Sequence, residues 1–272
     1  MKTLNLDLEY INNLAEKNAE RYQTTTPFPY ISFENFLNEY AVNKMIEDFP
    51  PIDESFYKYD NPLERKYAFD KISELPDSIR DCLIELNSPP FLNFLEKLTG
   101  VNNLIPDPYY RGGGVHQSKR GGKLDVHVDF NKHPKLKLER RLNVLIYLNK
   151  DWKEEYNGDF QIWDGHRDEN GKHVLTKLID KIYPTFNTFA CFSTSERSYH
   201  GFPEEIQCPE DMTRKSIALY YYTVKREGEC EFSNMHSTTF IKLPHEDDSL
   251  EEMREKRNKG RFTSNIKDEN LS

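Results

Sequence analysis

Four residue types at set intervals carry the chemical content of this sequence: the His and Asp of His127-Val128-Asp129, then His200, then Arg214 with Ser216. A His-x-Asp pair joined by a distant histidine can occupy one face of an Fe(II) ion and leave other coordination positions open. An arginine 14 residues past the second histidine could hold the carboxylate of an organic acid beside that metal. Each piece is weak alone, because short motifs match by chance. Their combination is what points to chemistry.

Those side chains need strands to aim them. Leu124 to Phe130 alternates, and side chains two apart on a strand share a face. His127 and Asp129 therefore point one way, and Leu124, Val126 and Val128 the other. The bland reading is a half-buried strand with a polar face. His200 lies in Arg197-Ser198-Tyr199-His200-Gly201-Phe202-Pro203, where a strand meets a turn; it could equally be a satisfied turn histidine. In the next strand, Arg214, Ser216, Ala218 and Tyr220 share a face. An arginine aimed into a barrel is a costly buried charge unless paired. A bound carboxylate would resolve that cost through two parallel hydrogen bonds, with Ser216 adding a third; a protein carboxylate would do so as a salt bridge. Between these pieces runs Arg140 to Trp152, where Asn143, Leu145 and Tyr147 share a face. The Tyr147 hydroxyl could join the carboxylate at Arg214, or be a satisfied core hydroxyl.

The elements that carry these residues follow from period and punctuation. Helical spacing predicts helices over 4–21, 38–48, 76–86 and 90–98, with Pro27, Pro50-Pro51 and Gly100 as stops. From about 105 the period becomes two. Strands are expected at 113–119, 123–130, 141–149, 159–164, 173–183, 187–193, 197–201 and 214–224. Helices that precede strands, rather than alternate with them, indicate α+β, mainly β: a sandwich or jelly roll with N-terminal helices on one face. The expected divisions are a helical lead-in at 1–104, a β core at 105–228, and an extension at 229–272 that is partly disordered. Residues 52–72, 131–140 and 165–172 have no clear period and are expected to be loops at the barrel mouth, where binding determinants often lie.

Composition narrows the class. A net charge of −9 argues against nucleic acid as partner, since that affinity rests on clustered Lys and Arg. Cys82, Cys191, Cys208 and Cys230 show no CxxC spacing. The first twenty residues lack the apolar stretch of a signal peptide, and no run is long enough to span a membrane, so a cytoplasmic protein is expected. His116, His133, His166, His173, His236 and His245 read as surface histidines. Gly112-Gly113-Gly114 is not followed by the Lys-Ser/Thr helix start of a phosphate loop. Trp163 and Asp164 read as core or rim.

The runs HVDFN, RRLNVLIYLNKDW, NGDFQIWD, SYHGFPE and TRKSIALYYY resemble the prolyl 4-hydroxylase-like branch of the Fe(II)/2-oxoglutarate dioxygenases, over roughly residues 105–225. The resemblance implies a double-stranded β-helix, cupin-like, in which His127, Asp129 and His200 bind iron and Arg214 binds the C5 carboxylate of 2-oxoglutarate. It also implies Tyr147 and, less directly, Gln117 as further co-substrate contacts; Ser216 and Asn143 are candidates from their shared faces. The Arg lies further past the His than usual in the family, and the turn Glu204 to Asp211 accounts for this. The implied chemistry is hydroxylation of an unactivated C–H bond with O2, releasing succinate and CO2, with ascorbate as a supporting reductant. Family halogenases lack the carboxylate that Asp129 supplies. The substrate is expected to be a protein or peptide residue such as proline, or else a small molecule such as an amino acid or a surface sugar. A non-catalytic binding barrel is the third reading. Oligomeric state is not readable from the sequence.

Overall fold

The computed structural model describes residues 5–226 and 235–259, and its helices precede most of its strands. The first part comprises α1 (Leu8–Thr24), β1 (Tyr30–Phe33), α2 (Glu39–Glu47), β2 (Tyr57–Asn61), β3 (Glu64–Phe69), α3 (Asp77–Leu86) and α4 (Pro89–Thr99). Local chemistry sets their ends. The Asp7 and Asn38 side chains accept the backbone N–H of Tyr10 and Ala41, and Pro89 opens α4. Gly100, at φ 73°, closes α4 in the left-handed region.

The second part comprises β4 (Ile105–Pro106), β5 (Gly114–Ser118), β6 (Lys123–Val128), β7 (Glu139–Tyr147), β8 (Phe160–Arg167) and β9 (His173–Ile182). It continues with β10 (Thr188–Ser193), β11 (Tyr199–Phe202), β12 (Arg214–Thr223), β13 (Thr239–Phe240) and α5 (Glu251–Asn258). The strands pair antiparallel in the order β1-β10-β7-β12-β5-β3-β6-β11-β8-β9, with β2 on β3, β4 on β12 and β13 on β6. The sheet curls into a nearly closed barrel, the double-stranded β-helix.

Period-two alternation divides the barrel into an apolar outer face and a functional inner one. Leu142, Val144 and Ile146 of β7, Phe189 of β10, and Ile217 and Leu219 of β12 pack outward against the helices. Phe36 stacks on Phe189 at 4.2 Å between ring centroids. Burying each such ring stabilises by roughly 1.5–3 kcal/mol. The intervening residues of β7 and β12 point into the barrel.

Two segments depart from expectation. Residues 57–69 form the β2–β3 hairpin, which joins the sheet by pairing with β5 and β6. Its pairing rests on backbone hydrogen bonds, and its inner face lines a polar cleft, so no apolar alternation marks it. The charged helix α5, within the extension expected to be partly disordered, is docked: Arg254 is buried and pairs with Asp125 at 3.1 Å and Glu246 at 2.7 Å. A helix held by a buried cation carries no hydrophobic signal. Cys82, Cys191 and Cys208 are buried free thiols. Cys230 and the expected disordered end, 260–272, lie outside the described residues.

Candidate active site

β6 and β11 bring the two histidines together, with His127 directly opposite His200. The register then shifts, so that Leu124 faces Phe202 and β6 carries one extra residue in a bulge. The bulge corrects the strict alternation expected for β6. Val126 and Val128 pack outward with Trp163 and Tyr199, but Leu124 turns into the cavity. Gly201 permits the close crossing, since a Cβ there would lie 2.7 Å from the Leu124 carbonyl oxygen.

His127, Asp129 and His200 offer donor atoms that all lie within 4.8 Å of one another. His127 Nε2 is 3.7 Å from Asp129 Oδ1, and His200 Nε2 is 3.4 Å from Oδ2. Each Nδ1 is committed to a backbone carbonyl, of Asp125 at 2.8 Å and of Ser198 at 2.7 Å. A carbonyl can only accept, so Nδ1 carries the proton and the Nε2 lone pair faces the cavity. Burial lowers the His200 pKa and favours the neutral imidazole a metal requires.

Asp129 is held by a second layer. Burial opposes its ionisation, but Arg140 and the two imidazoles outweigh burial and hold the carboxyl well below its usual range. The Asn143 amide donates to Oδ2 at 2.7 Å, and Arg140 Nη2 stands 3.2 Å from the same oxygen. Arg140 Nε also donates to Asn143 Oδ1 at 2.9 Å, while its guanidinium is sandwiched between Phe130 and Tyr220. Two imidazole nitrogens and one fixed carboxylate, all aimed at one point, fit an Fe(II) ion.

An inner cavity of about 80 Å³ runs from this triad into the barrel. At its far end lie Arg214, Tyr147 and Ser216, with Ser216 opposite Tyr147 in register. Arg214 is buried and donates through Nε to the Gly158 carbonyl at 2.7 Å. Gly158 has φ 77°, and a Cβ there would press on the Arg214 side chain at 3.1 Å. Among the described residues Arg214 has no ion pair with a carboxylate, and the buried Tyr147 hydroxyl has no hydrogen-bond partner. A desolvated guanidinium beside an orphaned hydroxyl fits a carboxylate ligand.

Four of the sequence expectations change. Gln117 faces away from the cavity, its amide committed to the Pro50 carbonyl at 2.8 Å and to Thr213 at 3.0 Å. Its neighbours His116 and Ser118 line the cavity instead. Asn143 lines the cavity, but its amide serves Asp129 rather than standing free for a co-substrate. Burial pushes the His116 imidazole down to about 3, so it is neutral there. His133, expected on the surface, is buried 3.3 Å from Asp107. Arg140, Lys66, His116 and Ser118 escape the sequence patterns. Arg140 and Asn143 sit three apart, on opposite faces of a regular strand; the register shift between Tyr221 and Tyr222 of β12 brings them to one side.

The inner cavity opens past Lys66, Leu124, His127, Asp129 and Tyr220 into a cleft of about 770 Å³. One wall is the β2–β3 hairpin, with Tyr57, Tyr59 and Glu64. Another is the 235–259 segment, where Phe240 pairs opposite His127 and Arg257 meets Glu64 at 2.6 Å. Arg111 and Lys132 stand on the remaining side.

Residues 113–222, which hold the three metal donors and Arg214, match the model of the 2OG-Fe(II) oxygenase superfamily. Over that stretch the chain is similar to that superfamily, and its candidate donor set and buried cation fit Fe(II) and 2-oxoglutarate. Among solved structures it is similar to a prolyl hydroxylase from Trichoplax adhaerens in complex with a hypoxia inducible factor oxygen degradation domain peptide fragment. That match is 19% identical with a TM-score of 0.54, and covers 79% of this chain and 91% of the other. A Pseudomonas putida prolyl-4-hydroxylase is 13% identical with a TM-score of 0.47, over 77% of this chain and 98% of the other. At these identities the likeness is one of fold. No curated protein matches the sequence. Among the described residues no helix is long and apolar enough to cross a membrane.

Proposed function

We propose that the protein hydroxylates an unactivated C–H bond of a substrate seated in the cleft, with 2-oxoglutarate converted to succinate and CO2. The observation that carries this reading is Asp129, present as a third donor and held by Arg140 and Asn143. The iron, when bound, supplies the redox chemistry that couples loss of CO2 from 2-oxoglutarate to oxidation of the substrate. The chain supplies the rest. His127, Asp129 and His200 hold the metal on one face. Arg214, with the hydroxyls of Tyr147 and Ser216, grips the distal carboxylate and orients the co-substrate. The outer faces of β7 and β12 keep water from the back of the barrel.

A peptide or protein residue, proline among them, is the first substrate class, supported by the fold shared with a prolyl hydroxylase that holds a peptide. A small polar molecule is the second. It is favoured by the Arg257–Glu64 pair, which ties one wall of the cleft to the other. Succinate release across proline-containing peptides, free amino acids and sugars, with product mass, tests both. Added oxygen on one class selects it. Iron and 2-oxoglutarate binding without turnover on any class would support a non-catalytic barrel.

A further inference from the structure

We propose that Lys66 is a second carboxylate anchor, placed to receive the carboxylate of 2-oxoglutarate at the metal end while Arg214 holds the distal one. The inference rests on the co-substrate reading above. β3 pairs with β5 so that Tyr67 faces Gln117 and Ala68 faces His116. The next step in that register sets Lys66 beside Ser118, which in turn faces Arg214 on β12. The hairpin thus delivers an ammonium into the barrel from outside the strands that carry the metal donors.

Among the described residues that ammonium has no close anionic partner: its side chain is 18% exposed, it stands 3.8 Å from Glu64 Oε2, and it lies 5.0 Å over the Tyr59 ring. Glu64 already receives Arg257 at 2.6 Å. Asp129 is likewise occupied by Arg140 and Asn143. A mostly buried ammonium has three donors to satisfy, and an acceptor from a ligand would help to satisfy them. Position decides which acceptor. Lys66 borders both the inner cavity and the cleft, as His127 and Asp129 do, whereas Arg214, Tyr147 and Ser216 border only the inner cavity. Of the Lys and Arg side chains that line the inner cavity, Lys66 therefore stands at its mouth with His127 and Asp129, and Arg214 stands deeper. A dicarboxylate laid between them presents one carboxylate to each.

The test is an anaerobic titration of the Fe(II) protein with 2-oxoglutarate, read by the visible charge-transfer band of the chelate. Wild type, Lys66→Met and Lys66→Arg are compared, and Fe(II) affinity is measured separately by calorimetry. Loss of a charge-assisted contact predicts that Lys66→Met weakens 2-oxoglutarate at least about tenfold. Fe(II) affinity should hold, and Lys66→Arg should recover most of the loss. Unchanged 2-oxoglutarate affinity in Lys66→Met overturns the inference and leaves Lys66 to an anionic group of the prime substrate. Parallel loss of Fe(II) affinity overturns it in favour of a structural role. Absence of the band in wild type fails the co-substrate reading itself, which separates the two.

Discussion

The inner cavity and the walls of the outer cleft are built on different principles. In the cavity each candidate metal donor has its own second partner, supplied by neighbouring strands: Asp125 and Ser198 carbonyls for the imidazoles, Asn143 and Arg140 for Asp129. In the walls, charges from remote parts of the chain meet, as Glu64 meets Arg257 and Asp125 meets Arg254. The first arrangement fixes geometry to fractions of an ångström, as chemistry on a single C–H bond requires. The second sets which molecules reach that geometry. Changes in the cavity, Lys66 included, should therefore abolish or weaken cofactor use, whereas a change at the Glu64–Arg257 wall pair should alter substrate use alone.

The largest expected effect tests the cavity. Asp129→Ala should reduce succinate formation to background, because it removes a donor and strands Arg140 and Asn143; full activity in this variant would refute the metal assignment. Next, Arg214→Ala should raise the 2-oxoglutarate concentration for half-saturation by about ten- to a hundredfold, from loss of a bidentate charged contact. Unchanged dependence would mean that another residue holds the carboxylate. In the walls, Arg257→Gln should raise KM for the prime substrate roughly fivefold, the scale of a part-exposed ion pair. Iron and 2-oxoglutarate affinities should stay put, and their loss would erase the distinction between the regions. The smallest effect lies behind the metal strand. Burial, with Arg167 nearby, holds His173 down at about 4, where it meets the Tyr199 hydroxyl at 3.0 Å. The unfolded chain titrates near 6.5, so it binds the extra proton between these values. Its contribution to stability is full above about pH 6.5 and is lost as pH falls toward 4. His173→Gln should make the drop in melting temperature between pH 7 and pH 5 shallower; identical slopes would discount this histidine.

The same contrast explains what the sequence made legible. Barrel strands alternate because one face meets helices and the other a cavity, so 141–149 and 214–224 stood out and are seen as strands at 139–147 and 214–223, and with them Asn143, Tyr147, Arg214 and Ser216. His127, Asp129 and His200 were visible as donor types at a recognisable spacing, and the structure brings them together. Bulges were not visible. Alternation alone put Leu124 on the wrong face, and register, which no single strand reveals, exchanged Gln117 for His116 and Ser118. The hairpin and α5 were hidden for another reason. They are held by backbone pairing and buried ion pairs, and neither leaves an apolar period.

Arg254 and Arg257 have a consequence for how the protein is made. During translation the metal donors and Arg214 leave the ribosome before α5 does. A nascent chain that has reached β12 already carries the donors and the co-substrate grip, yet the side of the cleft that α5 closes is open. The candidate centre is thus encoded before its entrance, and the cleft takes its final shape only when α5 docks.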